Sequence, residues 1–184
     1  MNNQAQDQDY IGEPKINIWG DFVAEHEQLF CFFKDHINWD NRIKARKTAS
    51  FGIAYNYSGI DYPAIVMLPE LMSICQKIEQ KIGFLPNNCL MNYYETGYSS
   101  MGYHYDSIEN LVENTGVVII SLGATRHISF RSQLNPEIKY KYPLSSGSCL
   151  YMDQEIQKQW MHGIRQEKKA SSRISLTFRQ IKTP

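Results

Sequence analysis

From residue 88 onward the chain breaks into short runs rich in Val, Ile, Tyr and Phe: "CLMNYYE", "GYHYD", "VVIISLG", "HISFRS", "IKYKYPL", "SCLYMD", "WMHGIRQ" and "RISLTFRQ". Gly, Asn, Pro and Ser fall between them. Branched and aromatic side chains suit a pleated surface, and many short strands at close spacing predict a sandwich or barrel. Two helical patterns come first. In "DFVAEHEQLFCFFKDHINW" the residues Phe22, Leu29, Phe30, Phe33 and Ile37 recur at near-helical spacing, with Asp21 as the expected N-cap. "LPELMSICQKIEQKIGF" has Pro69 in its first turn, a stripe of Leu71, Ile74, Cys75, Ile78 and Ile82, and Gly83 as its stop. These helices are expected to cover one sheet. Without a repeat or a linker, residues 15–184 are read as one α+β domain. It follows a polar stretch, residues 1–14, expected to be flexible.

The bulk numbers exclude some classes. The chain has 184 residues, 42% hydrophobic and 21% charged, as in an ordinary globular domain. Nineteen basic residues balance nineteen acidic ones, so any contact with nucleic acid must be local and not a broad basic surface. Cys31, Cys75, Cys89 and Cys149 are far apart, which argues against a thiolate zinc site and for reduced, mostly buried thiols. "GVVIISLGA" is too short to span a bilayer. With no secretory signal recognised, a cytoplasmic location without membrane attachment is expected.

The chemistry starts at "GYHYD". On a strand, residues two apart share a face, so His104 and Asp106 would aim a nitrogen and a carboxylate at one point. "QWMHGI" supplies a third candidate, His162. Two histidines and one carboxylate, with positions left open, form the ligand set of non-haem Fe(II) oxygenases. His162 could equally be a satisfied histidine on a sheet. His26 and His36 fall in the helical region, and Arg126 beside His127 disfavours a bound cation there.

The last strand bears on this choice. In "RISLTFR" the residues Ile174, Leu176 and Phe178 share one face, and Arg173, Ser175, Thr177 and Arg179 share the other. That polar face could lie in water. If it lines a barrel, two arginines inside need anions, because an unpaired buried charge costs on the order of several kcal/mol. A small dicarboxylate would satisfy both forks. Iron together with a dicarboxylate implies 2-oxoglutarate.

The order H-x-D, His, R-x-x-x-x-x-R resembles the signature of the AlkB family of Fe(II)/2-oxoglutarate dioxygenases. The resemblance runs from "TASFGIAYNYSG" (residues 48–59) through "NYY" with Gly97, "SLGATRHISFR" and "LSSGSCLYM" to "RISLTFR". It implies a double-stranded β-helix, or jelly roll, with helices packed on one sheet. It also implies His104, Asp106 and His162 as iron ligands, and Arg173 on the distal carboxylate of 2-oxoglutarate. Arg179 would act near the metal, with Asn92 and Tyr94 as a co-substrate pair. Ser175 departs from the family's usual Asn, which puts one co-substrate contact in doubt.

The activity implied is oxidative removal of N-alkyl groups from nucleobases of the 1-methyladenine or 3-methylcytosine type, with O2 consumed and formaldehyde, succinate and CO2 released. Tyr55 and Tyr57 are the candidate base-stacking residues, and Tyr103 is read as structural. In "NRIKARK" the cations Arg42, Lys44, Arg46 and Lys47 are candidate phosphate contacts, although such a run can also be a solvated loop. Members of the resembled family that repair duplexes tend to carry an apolar wedge in this region; with only Ile43 and Ala45 among these charges, a single strand of DNA or RNA is expected. A monomeric enzyme is also expected. Other readings are the same chemistry on a protein side chain or small molecule, and a silent jelly-roll binding module.

Overall fold

A computed structural model describes residues 12–183. Its strands are β1 (Asn17–Trp19), β2 (Lys47–Gly52), β3 (Tyr55–Tyr57), β4 (Ile60–Tyr62), β5 (Asn88–Tyr94), β6 (Met101–His104), β7 (Gly116–Gly123), β8 (Arg126–Ser132), β9 (Lys139–Leu144), β10 (Cys149–Asp153), β11 (Trp160–Ile164) and β12 (Arg173–Arg179). The helices are α1 (His26–His36), α2 (Pro69–Ile82) and α3 (Gln154–Gln159). A six-stranded sheet, ordered β1-β10-β7-β12-β5-β2, and a four-stranded sheet, ordered β6-β11-β8-β9, make the two walls; β3 and β4 form a separate hairpin. All the pairings are antiparallel, as a jelly roll requires.

The large sheet carries two different faces because side chains alternate along its strands. On one face, Cys89, Met91 and Tyr93 of β5, Val118, Ile120 and Leu122 of β7, and Ile174, Leu176 and Phe178 of β12 join one core with Phe33 of α1 and Leu71, Ile74, Cys75 and Ile78 of α2. Each fully buried aliphatic or aromatic side chain there contributes about 1.5–3 kcal/mol of transfer free energy. The helices therefore cover this sheet, as expected. The opposite face looks at the small sheet. Burial pushes the thiols of Cys75 and Cys149 up to about 12, while Cys31 is exposed.

Helix α2 starts and stops where its sequence signals lie. Pro69 occupies the first turn, and Gly83 takes a left-handed φ of 98° while its N–H donates to the Glu79 carbonyl at 2.9 Å. Helix α1 corrects the sequence reading. It begins at His26 after Glu25, and Asp21 sits at φ 51° in a turn instead of capping it. The chain is pinned just before the helix, where the Val23 N–H donates to the Gly147 carbonyl at 3.0 Å. That long-range bond overrides the local capping preference.

The expected flexible stretch of residues 1–14 falls, for residues 1–11, outside the described residues. Among those described, no helix is long and apolar enough to cross a membrane.

Candidate metal and co-substrate centre

Strands β5, β7 and β12 of the large sheet, facing β6 and β11 of the small one, bring the polar residues of the sequence reading to one place. In register, Ser175 of β12 lies between Asn92 of β5 and Ser121 of β7, and His162 of β11 is paired with His104 of β6. The inward face of β12 presents Arg173, Ser175, Thr177 and Arg179 to the site.

Strand β6 ends at His104, so Asp106 lies just past it and not on the strand, contrary to the expected i, i+2 geometry. A side chain replaces the lost ladder bond: the Asp106 N–H donates to Gln157 Oε1 at 2.9 Å. The three groups still converge. One ligand atom from each of His104, Asp106 and His162 lies within 4.8 Å of the others, and the two imidazoles stand 4.4 Å apart between ring centroids.

The electrostatics prepare these groups to bind a cation. His104 Nδ1 lies 3.0 Å from the Gly102 carbonyl, an acceptor, so in the neutral ring Nδ1 is the donor and Nε2 is the nitrogen left for a metal. Burial pushes the His162 pKa down to about 3, against the raising influence of Asp106, so its imidazole is neutral at pH 7. For Asp106, burial alone would raise the carboxyl's pKa. Arg179 and the two histidines outweigh it, and the group stays ionised below the usual carboxylate range. Arg179 Nη2 donates to Asp106 Oδ1 at 2.5 Å. The second oxygen, Oδ2, is buried with no hydrogen-bond partner among the described residues, as is His162 Nδ1. A buried carboxylate oxygen without a donor, 3.5 Å from an imidazole Nε2, is the donor set that a divalent iron fits.

The arginines fit an anion. Arg173 is 1% exposed, and its Nε and Nη2 both donate to the single Ser121 Oγ, at 3.2 and 2.6 Å. Among the described residues its Nη1 has no partner, and neither do Nε and Nη1 of Arg179. Of the two buried guanidinium groups only Arg179 has a carboxylate partner among the described residues, so Arg173 keeps a free donor for a carboxylate of a ligand. The Tyr94 ring is flanked by Arg173 at 5.2 Å and by Arg126, fully buried, at 5.7 Å. Neither Ser121 nor Arg126 is read from the sequence as a residue of the site. The first hides in an apolar run, and the burial of the second follows from contacts with the carbonyls of Ser99 and Arg165.

The β3–β4 hairpin stands over this centre. Tyr55 and Tyr57 stack at 6.4 Å with 20° between planes, and the Arg179 guanidinium lies 5.0 Å from the Tyr55 ring. Of the cationic run, Arg42 is exposed and bonded to Asp40, Lys44 is exposed, and Lys47 pairs with Glu95 at 2.8 Å. Arg46 departs from the expected phosphate contact: it is 8% exposed and turned inward, because acceptors on β5 and on the hairpin hold it. Tyr103 is also outside the site, packed between Arg131 at 4.5 Å and Arg165 at 5.6 Å. A larger apolar hollow of about 560 Å³ lies along the outer edge of β2, beside Trp39 and Tyr62, and of the candidate site residues only Arg42 lines it.

Two facing antiparallel sheets holding two histidines, a carboxylate and two buried arginines define a jelly-roll oxygenase of the non-haem iron type. Residues 33–179 match the 2OG-Fe(II) oxygenase superfamily. The chain is 30% identical over 172 residues to protein R406 of Acanthamoeba polyphaga mimivirus, covering 90% of this chain and 88% of that one. It is 31% identical to the alpha-ketoglutarate-dependent dioxygenase alkB homolog 3 of Rattus norvegicus, over 74% of this chain and 50% of that one. With the DNA oxidative demethylase ALKBH2 of Homo sapiens it shares 29% identity, over 74% of this chain and 56% of the relative. The chain thus spans about half the length of these last two relatives. The solved structure of OsALKBH1 superposes with a TM-score of 0.67 at 17% identity, covering 92% of this chain and 98% of that one, and shows the same fold. The chain belongs to the 2OG-Fe(II) oxygenase superfamily and, within it, to the AlkB family. Its reaction class is that of the Fe(II)- and 2-oxoglutarate-dependent dioxygenases, with O2 as the second co-substrate.

Proposed function

We propose that this chain is an oxidative demethylase of N-alkylated nucleobases of the 1-methyladenine or 3-methylcytosine type, acting as a monomer on single strands of DNA or RNA. The observation that carries this reading is the stacked Tyr55–Tyr57 pair over the buried centre, a platform for a planar aromatic ligand. The names of the relatives, a DNA oxidative demethylase among them, agree with it.

His104, Asp106 and His162 would hold Fe(II). Bound there with 2-oxoglutarate and dioxygen, it supplies the oxidation of a C–H bond to C–OH, with 2-oxoglutarate leaving as succinate and CO2. The residues of the chain do the rest. Arg179 compensates the buried charge of Asp106 while leaving Oδ2 open. Arg173, backed by Ser121, receives the distal carboxylate, and Asn92 and Tyr94 line the same co-substrate wall. Ser175, facing that wall between Asn92 and Ser121, offers one hydroxyl where an amide would offer two donors. Leu90, Ile119, Ile128 and Ile164 line the site and exclude water. A hydroxylated N-methyl group then detaches as formaldehyde. A base in a single strand reaches Tyr55 and Tyr57 with no pairing to break; exposed Lys44 is available to phosphates, and Arg42 and Lys47 would exchange their surface pairings with Asp40 and Glu95 to join it.

The test is release of formaldehyde and succinate from single-stranded oligonucleotides carrying 1-methyladenine or 3-methylcytosine, with Fe(II), 2-oxoglutarate and ascorbate, and His104→Ala as the blank. Equal release of both products, lost in the variant, supports the reading. Succinate without formaldehyde rejects the nucleobase assignment.

A further inference from the structure

Arg46 occupies a place that neither the metal nor the co-substrate residues explain. Its guanidinium joins three parts of the chain: Nε donates to Asn92 Oδ1 at 2.7 Å, Nη2 donates to the Tyr57 hydroxyl at 2.8 Å, and Nη1 lies 3.5 Å from the Ser100 carbonyl. The same group sits 5.7 Å from the Tyr57 ring centroid. No carboxylate pairs with it among the described residues.

A guanidinium is a donor only. That restriction fixes the polarity of both neighbours. With Nε pointing at it, the Asn92 amide must turn its oxygen to Arg46, and its NH2 is left for the other side. Asn92 lines the centre beside Arg173, where the co-substrate's carboxylates are received, so the amide is presented as a donor to an anion. The Tyr57 oxygen, accepting from Nη2, is left with its own proton to give. Among the described residues that proton meets only the Met101 sulfur, at 3.9 Å, a weak acceptor that a ligand atom would readily replace.

We propose that Arg46 is a positioning residue that sets the hydrogen-bond polarity of both walls of the site. It makes Asn92 a donor toward 2-oxoglutarate and Tyr57 a donor toward the incoming base. The base arm rests on the function proposed above; the 2-oxoglutarate arm does not. It follows that the base is gripped near Tyr57 through an acceptor, a carbonyl oxygen or an unprotonated ring nitrogen.

Arg46→Lys keeps the charge but concentrates it in one ammonium, which cannot reproduce the fork that spans Asn92 and Tyr57. Titration of 2-oxoglutarate into the Mn(II)-loaded protein, without nucleic acid, is expected to show about tenfold weaker binding in this variant, the loss of one oriented hydrogen bond to a charged group. Asn92→Asp tests the same wall while retaining a partner for Arg46: the ion pair forms, the donor is lost, and 2-oxoglutarate binding falls while the melting temperature of the ligand-free protein holds. Tyr57→Phe is expected to leave 2-oxoglutarate affinity unchanged and weaken an oligonucleotide carrying 3-methylcytosine. Wild-type affinity for 2-oxoglutarate in both Arg46→Lys and Asn92→Asp would overturn the assignment. An oligonucleotide that binds neither wild type nor variants, with the 2-oxoglutarate losses intact, would reject the nucleobase function and leave Arg46's role on the co-substrate side standing.

Discussion

Arg173→Met separates what this chain does for stability from what it does for its co-substrate. Arg173 is 1% exposed and, among the described residues, has one hydroxyl, Ser121 Oγ, as its only hydrogen-bond partner, with Nη1 left unpartnered. Burial, with a further charge from Arg126, lowers its pKa, a sign that the folded ligand-free state holds this cation at a cost. Against that cost stand the Tyr94 ring, worth about 0.5–2 kcal/mol, and a net hydrogen bond of about 1 kcal/mol. Effective desolvation of a buried ion is several kcal/mol, so replacement by an apolar side chain of similar length is expected to be neutral or stabilising, by about 1–4 kcal/mol. The opposite holds once a carboxylate arrives. Two charge-assisted bonds at about 1.5–3 kcal/mol each amount to roughly 10²–10⁴-fold in affinity, at about 1.4 kcal/mol per factor of ten. Urea unfolding of the metal-free protein reads the first effect, and titration of 2-oxoglutarate into the Mn(II)-loaded protein reads the second. A variant that loses more than about 2 kcal/mol of stability yet holds 2-oxoglutarate within threefold of wild type would refute the reasoning, and Arg173 would be a structural residue.

Three further outcomes follow from the same contacts. Tyr55→Ala removes a stacking face worth about 1–3 kcal/mol, so affinity for a methylated single-stranded oligonucleotide should fall roughly 5–150-fold by fluorescence anisotropy, with 2-oxoglutarate binding unchanged. Gly97→Ala should destabilise the fold by about 1–3 kcal/mol in urea melts, since an added Cβ would run into the Glu167 carbonyl group, whose N–H is itself held by Gly97. Glu167 bears on the pH dependence. Burial raises its pKa, but hydrogen bonds from His127 and the charge of Arg126 outweigh that and leave it lowered from 4.5. A depressed folded pKa gives stability that is present above the unfolded value and is lost as pH falls through the folded one. Glu167→Gln should therefore flatten the acid limb of a stability–pH profile below about pH 4.5 by a few tenths of a kcal/mol, the half-buried group being partly screened by solvent.

Strand β12 was the most legible part of this chain, because its alternation alone separates Ile174, Leu176 and Phe178 from the two arginines, and both faces end up buried against different partners. His104, Asp106 and His162 were legible as residue types in order. Their geometry was not. Asp106 leaves the strand because Gln157, far along the chain, satisfies its N–H, and no local pattern carries that information. Strand β2, "KTASFG", escaped notice for a compositional reason: its small and hydroxylated residues give little apolar alternation, and pairing with β5 supplies the strand. Arg46 shows the limit most clearly. Among Arg42, Lys44 and Lys47 it looks like one more surface cation, and only the arrival of Asn92 and Tyr57 from other elements turns it inward. Charge runs report composition, while the burial of any one member is set by tertiary partners.

The account stands most directly on a single anaerobic measurement: Fe(II) and 2-oxoglutarate bound per chain, in wild type and in Asp106→Ala. One equivalent of each in the wild type, with the metal lost from the variant, is the result predicted by a buried Oδ2 without a donor among the described residues, beside the neutral imidazole of His162 and facing His104. Equal Fe(II) binding by the two proteins would contradict it and place the metal elsewhere.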